Sequence, residues 1–154
     1  MFIYLVRHGE AKSAQDDPER GLTEQGFLDV GAVAGYMARL VTGPVRIYHS
    51  GKTRARQTAS ILSDALKTPG GIAEADALLP HDDPSIWRQR LLMAGEDVML
   101  VGHLPHLAGL ASLLLAGERE ISVIDFKAGG IVCLKKDDFG QWLVEWMVAP
   151  DMVC

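Results

Sequence analysis

Three short apolar runs in this chain each end at a histidine, and that pattern constrains the fold more than any other feature. Residues 2–6 lead into Arg7 and His8, residues 45–48 into His49, and residues 98–101 into Gly102 and His103. The first, uninterrupted and rich in aromatic and β-branched side chains, reads as a strand buried on both faces; the third is likewise a continuous apolar strand, and the second is mostly apolar, with Arg46 inside it. The segments between them carry helical periodicity. Leu28, Val33, Met37 and Leu40 recur after Thr23, Gln25 and Gly26, which predicts an amphipathic helix ending near Gly43 and Pro44. Ala55, Ala59, Leu62 and Leu66 form one stripe of a helix over 52–66, stopped by Pro69, Gly70 and Gly71. Further helices are predicted over 85–93 and 104–115, with a short strand over 72–75.

The last third changes character. Residues 130–135 and 142–148, joined by a polar turn, read as a β-hairpin. Trp142 and Trp146 stand an even number of positions apart, which predicts one shared face and a packing role. The expected architecture is α/β: three layers, α/β/α, around a mostly parallel sheet with an antiparallel hairpin at one edge.

A length of 154 residues with 48% hydrophobic content fits one domain over 1–154. A formal charge of −5 without a dense Lys/Arg run argues against nucleic acid or an anionic membrane as partner. Any anionic substrate must then be held by a local basic pocket. Nothing before Phe2 could form a charged leader region, and the apolar run that follows is too short for a signal or a span, so the expectation is a soluble, cytoplasmic protein. Cys133 and Cys154 make neither a disulfide framework nor a CxxC pair, and are expected to be reduced thiols.

Carboxyl ends of parallel strands share one edge of a sheet, where ligands of open α/β folds bind. His8, His49 and His103 can therefore converge although they are far apart in sequence. Arg7 accompanies the first, and Arg54 and Arg56 lie in the first turns of the helix after the second. Guanidinium forks match phosphate oxygens bidentately and stay charged at any working pH, so the set suits a phosphoryl group. The helix N-termini that follow His49 and His103 would add backbone N–H donors.

The stretch Leu5-Val6-Arg7-His8-Gly9-Glu10, followed by Ser50, Arg54, Gln57 and Thr58 and later by Gly102-His103, resembles the histidine phosphatase superfamily, also called phosphoglycerate mutase-like. Within it the chain resembles the compact SixA-type phosphohistidine phosphatases. The short length, the segment from Arg20 to Gly26 and the turn Gly102-His103-Leu104-Pro105 carry that second likeness. The resemblance implies a phosphoglycerate mutase-like fold and a phosphatase that uses neither cofactor nor metal.

It also implies roles. A neutral His8 would attack phosphorus and form a covalent phosphohistidine that water then hydrolyses. Arg7, Arg54 and His103 would hold the equatorial oxygens, with Arg20 a further substrate or phosphate contact. Positive neighbours should lower the His8 pKa, and a backbone carbonyl is expected to fix its tautomer. Larger relatives place a carboxylic acid beside the pocket to protonate an alkoxide. Here the candidates are Asp82 and Asp83, ahead of Glu10 and Asp17. A phosphohistidine substrate relieves that demand, because imidazole is a better leaving group. The implied substrate is a phosphorylated protein such as a histidine phosphotransfer domain. The alternatives are a small phosphate ester, or a non-catalytic phosphate-binding module on the same scaffold.

The remaining polar residues read as structural. His49 belongs beside the pocket, not in it, and Arg56 points away from Arg54 toward solvent. His106 lies one turn from His103, but no carboxylate stands at ligand spacing beside it and the arginines would repel a cation.

Overall fold

The computed structural model describes residues 1–153; Cys154 lies outside the described residues. In chain order the elements are β1 (Phe2–Arg7), α1 (Glu24–Met37), β2 (Arg46–His49), α2 (Thr53–Leu66), β3 (Ile72–Glu74), α3 (Pro84–Met93), β4 (Val98–Gly102), α4 (His106–Ala116), β5 (Ile131–Lys136), β6 (Trp142–Val148) and α5 (Pro150–Val153). They form one six-stranded sheet in the order β3-β2-β4-β1-β5-β6. The first four of these neighbours run parallel, while β5 pairs antiparallel with β1 and β6 with β5. The expected α/β/α architecture with an antiparallel edge hairpin is what forms.

β1 is central and sealed on both sides. Ile3 and Leu5 pack with Leu100, Leu107, Leu110 and Trp87 under α3 and α4. Tyr4 and Val6 pack with Val33, Met37, Ala59 and Met99 under α1 and α2. Complete burial of alternate side chains on opposite faces is why this strand reads as a continuous apolar run. Cys133 sits in the same core, where burial pushes its thiol up to about 12 and keeps it protonated. Among the described residues, no helix is long and apolar enough to cross a membrane.

Several local expectations change. α1 stops at Met37, and Leu28 and Leu40 are exposed. Its buried stripe is instead Gly26, Val30, Val33, Ala34 and Met37. Two small residues let the helix approach its neighbours closely, a contact that a search for large apolar side chains passes over. β2 runs one residue later than expected and includes His49, α4 starts at His106 after the Leu104-Pro105 turn, and α5 had no counterpart in the sequence reading.

The tryptophans do not share a face. A register shift opposite Cys133 and Leu134 leaves Glu145 unpaired, so Val144 opposes Leu134 while Trp146 opposes Cys133. This β-bulge reverses the alternation. Trp142 joins the core under α3 and α4, and Trp146 packs on the other side of the sheet against Tyr4.

The first turn of α1 is fitted against the chain just after β1. Thr23 caps the helix through Gly26 N–H, and Thr23 N–H donates to the Glu10 carbonyl at 2.9 Å. A Cβ on Gly26 would strike that same carbonyl oxygen. Gly26→Ala is therefore expected to destabilise the fold by about 1–3 kcal/mol through overpacking. Thermal denaturation checks this, and an unchanged midpoint would contradict the fit described here.

Candidate active site

Parallel pairing sets the site. β1 and β4 align Arg7 with Gly102, and β2 aligns His49 with Val101. His8 N–H then continues the ladder one step beyond the strand by donating to the Gly102 carbonyl at 3.1 Å. On the other side Gly129 N–H donates to the carbonyls of Arg7 and His8, at 3.1 and 3.0 Å. His8 is thus pinned by its backbone from both neighbours. Its ring lies 5.0 Å, centre to centre, from that of His103.

The two nitrogens of His8 have distinct partners. Nδ1 lies 2.7 Å from the Gly9 carbonyl, which can only accept, so Nδ1 carries the proton. Nε2 then holds a lone pair, and Arg54 Nε–H donates to it at 3.3 Å. Burial pushes the ring's pKa down to about 4, aided by the charges of Arg54, Arg7 and Arg20 and opposed by the bond to Gly9. His8 is neutral at pH 7.

Arg54 reaches the pocket from the first turn of α2, whose placement depends on Thr58. The Thr58 hydroxyl donates to the Arg54 carbonyl at 2.8 Å and accepts from Gly9 N–H at 3.1 Å, tying the helix to the turn after His8. Gln57 Oε1 accepts from Leu22 N–H at 2.8 Å and anchors the polar loop that carries Arg20. Arg7 is steered by the Phe126 carbonyl, which accepts from its Nη1 at 2.8 Å. Its Nε–H is buried and has no partner among the described residues.

His103 is buried, and its Nε2 lies 2.6 Å from the Ser50 hydroxyl. Burial pushes its pKa down to about 3, with His8, Arg54 and Lys52 adding to the effect. Arg20 stands at the rim. It is exposed, donates from Nε to the Lys12 carbonyl at 3.1 Å, and shares an open cleft of about 380 Å³ with Lys52, Thr53 and Arg54. Arg7, His8, Arg54 and His103 therefore come together, with Arg20 and Lys52 making a cationic mouth.

Asp82 and Asp83 are placed differently. Asp82 accepts from Leu79 N–H at 2.9 Å, and Asp83 caps α3 through Ser85 N–H and pairs with Arg119 at 3.3 Å. Neither forms a hydrogen bond with His8, Arg7, Arg54 or His103. The bond from Ser85 N–H holds the Asp83 carboxyl below its ordinary range, opposite to what a proton donor needs. Asp17 is likewise a cap, accepting from Gly21 and Glu19 N–H. His106 lies against a separate cleft of about 630 Å³ walled by Asp82, Pro84, Pro105 and Arg119. His49 accepts from Gly51 N–H at 3.0 Å and shapes the turn. Among the described residues no cluster of three or more His, Cys, Asp and Glu side chains could hold a metal ion.

In the sequence Ser50, Gln57 and Thr58 stand as motif residues without an assigned role, and Lys52 only opens a helix. The carbonyls of Gly102 and Phe126 and the Gly129 N–H leave no side-chain signal and could not have been found that way.

Comparison with known proteins bears on this arrangement. Residues 3–77 match the profile of the Histidine phosphatase superfamily (branch 1). No curated protein sequence matches the chain. Among solved structures, the protein histidine phosphatase SixA in complex with tungstate superposes with a TM-score of 0.85 at 26% identity, covering 100% of both chains. A protein assigned as phosphohistidine phosphatase SixA from Agrobacterium tumefaciens gives 0.80 at 26% identity over 97% of each chain. The α-ribazole phosphatase of Shigella flexneri gives 0.76 at 14% identity over 97% of each chain, a likeness of fold.

Two expectations follow from the geometry. His8 and His103 bind protons less readily in the folded chain than the ordinary value of 6.5 allows. Their contribution to stability is thus complete above about pH 6.5 and lost as pH falls toward 4 and 3. NMR titration of the His8 ring should give a midpoint near 4; a midpoint near 6.5 would contradict the described burial. Thr58→Val leaves the buried Gly9 N–H without an acceptor and should cost about 1–3 kcal/mol in denaturant unfolding. No loss of stability would show that the tie between α2 and the His8 turn is unimportant.

Proposed function

We propose that the chain, whose residues 3–77 match the histidine phosphatase superfamily, is a phosphohistidine phosphatase acting through a covalent phospho-His8 intermediate. The observation that carries the reading is the state of His8. It is a neutral imidazole with its proton fixed on Nδ1 by Gly9 and its Nε2 lone pair turned toward guanidinium groups.

In the first step the Nε2 lone pair attacks phosphorus in line. The bond from phosphorus to the substrate nitrogen breaks and its electron pair stays on that nitrogen, so that a substrate ring already protonated on its other nitrogen leaves as neutral imidazole. In the second step water attacks phosphorus, the P–Nε2 bond breaks, and orthophosphate departs as His8 returns to neutrality. Splitting the transfer this way replaces one hard step by two easier ones. Arg54 gives up its 3.3 Å bond to Nε2 as the phosphoryl group arrives, and with Arg7 and His103 it holds the equatorial oxygens. The unpartnered Nε–H of Arg7 is a donor suited to one of them. Arg20 and Lys52 draw the anion in from the rim. The tungstate bound by SixA, a tetrahedral oxyanion, agrees with such a pocket.

Phosphohistidine is favoured over an ester by the leaving group. Imidazole departs with little or no proton donation, whereas an alkoxide needs an acid, and the carboxylates of Asp82 and Asp83 already accept backbone hydrogen bonds. The cationic surround also disfavours a catalytic metal, so EDTA should leave the rate unchanged. The expected partner is a phosphorylated protein such as a histidine phosphotransfer domain, with no nucleic acid and no membrane involved.

The test is a turnover comparison between a phosphohistidine-bearing protein and a panel of phosphate esters. The phosphoprotein should be hydrolysed far faster, and His8→Ala should abolish both activities. Preference for an ester, with a large loss on replacing Asp82 and Asp83, would move the assignment to small-molecule phosphomonoesterase. Undiminished turnover in His8→Ala would overturn the mechanism.

A further inference from the structure

We infer that Ser50 selects the ring tautomer of His103, so that His103 meets the phosphoryl group as a neutral donor through Nδ1–H. The inference rests on the reading that this pocket takes a phosphoryl group, and it adds a positioning residue to it.

The argument is an accounting of protons. Ser50 Oγ accepts from Lys52 N–H at 3.3 Å and lies 2.6 Å from His103 Nε2, with both side chains buried. Among the described residues, His103 Nε2 is the one acceptor that the Ser50 hydroxyl hydrogen reaches. If Nε2 carried the proton, that hydroxyl hydrogen would be left without an acceptor. The Nδ1 lone pair would also be buried without a donor, and would repel an arriving anion. With Nε2 accepting from Ser50, each of these groups is paired except Nδ1–H, and buried polar groups are rarely left unpaired without a reason.

That remaining donor has a use. Among the described residues His103 Nδ1, on a ring 5.0 Å from that of His8, is buried without a partner, and Arg7 Nε–H is unpartnered in the same way. Two preorganised donors without acceptors beside a nucleophile are what a developing oxyanion requires. The histidines are then set in opposite tautomers. His8 donates a hydrogen bond from Nδ1–H to the Gly9 carbonyl and presents a lone pair at Nε2, whereas His103 accepts from Ser50 at Nε2 and presents a proton. Lys52 N–H, by donating to Ser50 Oγ, turns the hydroxyl hydrogen toward the ring. The start of α2 thereby helps set a side chain that follows β4.

Long-range ¹⁵N–¹H correlation of the histidine rings tests this directly. His103 should show Nδ1–H in the wild type and shift toward Nε2–H in Ser50→Ala. The same variant should lose roughly ten- to a hundredfold in kcat with a smaller change in KM, less than the full loss of an oxyanion donor. Ser50→Thr, which keeps the hydroxyl, should restore both the tautomer and most of the rate. A wild-type His103 carrying Nε2–H, or a Ser50→Ala ring that stays Nδ1–H with kcat within about twofold of wild type, would overturn the inference. The tautomer is read without substrate, so a wild-type protein that fails to hydrolyse phosphohistidine would overturn the functional reading and leave this result standing.

Discussion

The site depends on one piece of backbone pairing. β1 lies between β4 and β5, and the parallel register of β1 with β4 sets Arg7 beside Gly102. The hydrogen bond from His8 N–H to the Gly102 carbonyl extends that ladder past the strand. Because side chains alternate with period two, a slip of one residue would exchange the faces of Tyr4 and Leu5, and both faces of this strand are packed. The buried core therefore enforces the register, and the register in turn brings His8 and His103 together. The geometry of the candidate site is a consequence of core packing carried to the edge of the sheet.

Electrostatics complete what packing begins. The protein is acidic overall, at −5, yet Arg7, Arg20, Lys52 and Arg54 gather at this one edge. Desolvation keeps both histidines neutral, and the guanidinium charges reinforce it. A neutral imidazole among cations keeps its lone pair at working pH, and an anion is drawn to a pocket whose other charges are positive. Burial and charge thus act in the same direction. Both suit the proposed nucleophile, and neither raises the pKa of a proton donor.

The sequence made the strands and the strand-end residues legible because the central strands β1 and β4 are continuous apolar runs and the polar residues at their tips interrupt them. Arg7, His8 and His103 were visible for that reason, and Arg54 from its place in the first turn of the helix after β2. The course of α1 was less legible, since its buried stripe relies on Gly26 and Ala34, which carry little apolar signal. The placement of Trp146 was misread because one bulged residue, Glu145, reverses the alternation, and no local residue type announces it. Asp82 and Asp83 were candidate acids through the likeness to larger relatives, whereas the backbone bonds they accept, from Leu79 and Ser85 N–H, are visible only in three dimensions. Carbonyl and amide partners such as Gly102, Phe126 and Gly129 leave no trace in a side-chain pattern.

The most direct test of the central claim is chemical capture of the intermediate. The protein is mixed briefly with a radiolabelled phosphohistidine protein, quenched in alkali, in which phosphohistidine survives, and mapped by peptide mass and ring-nitrogen assignment. The account predicts label on His8, bonded to Nε2 because Nδ1 is held by Gly9. Turnover without any labelled His8, or label on Nδ1 or on another residue, would contradict it.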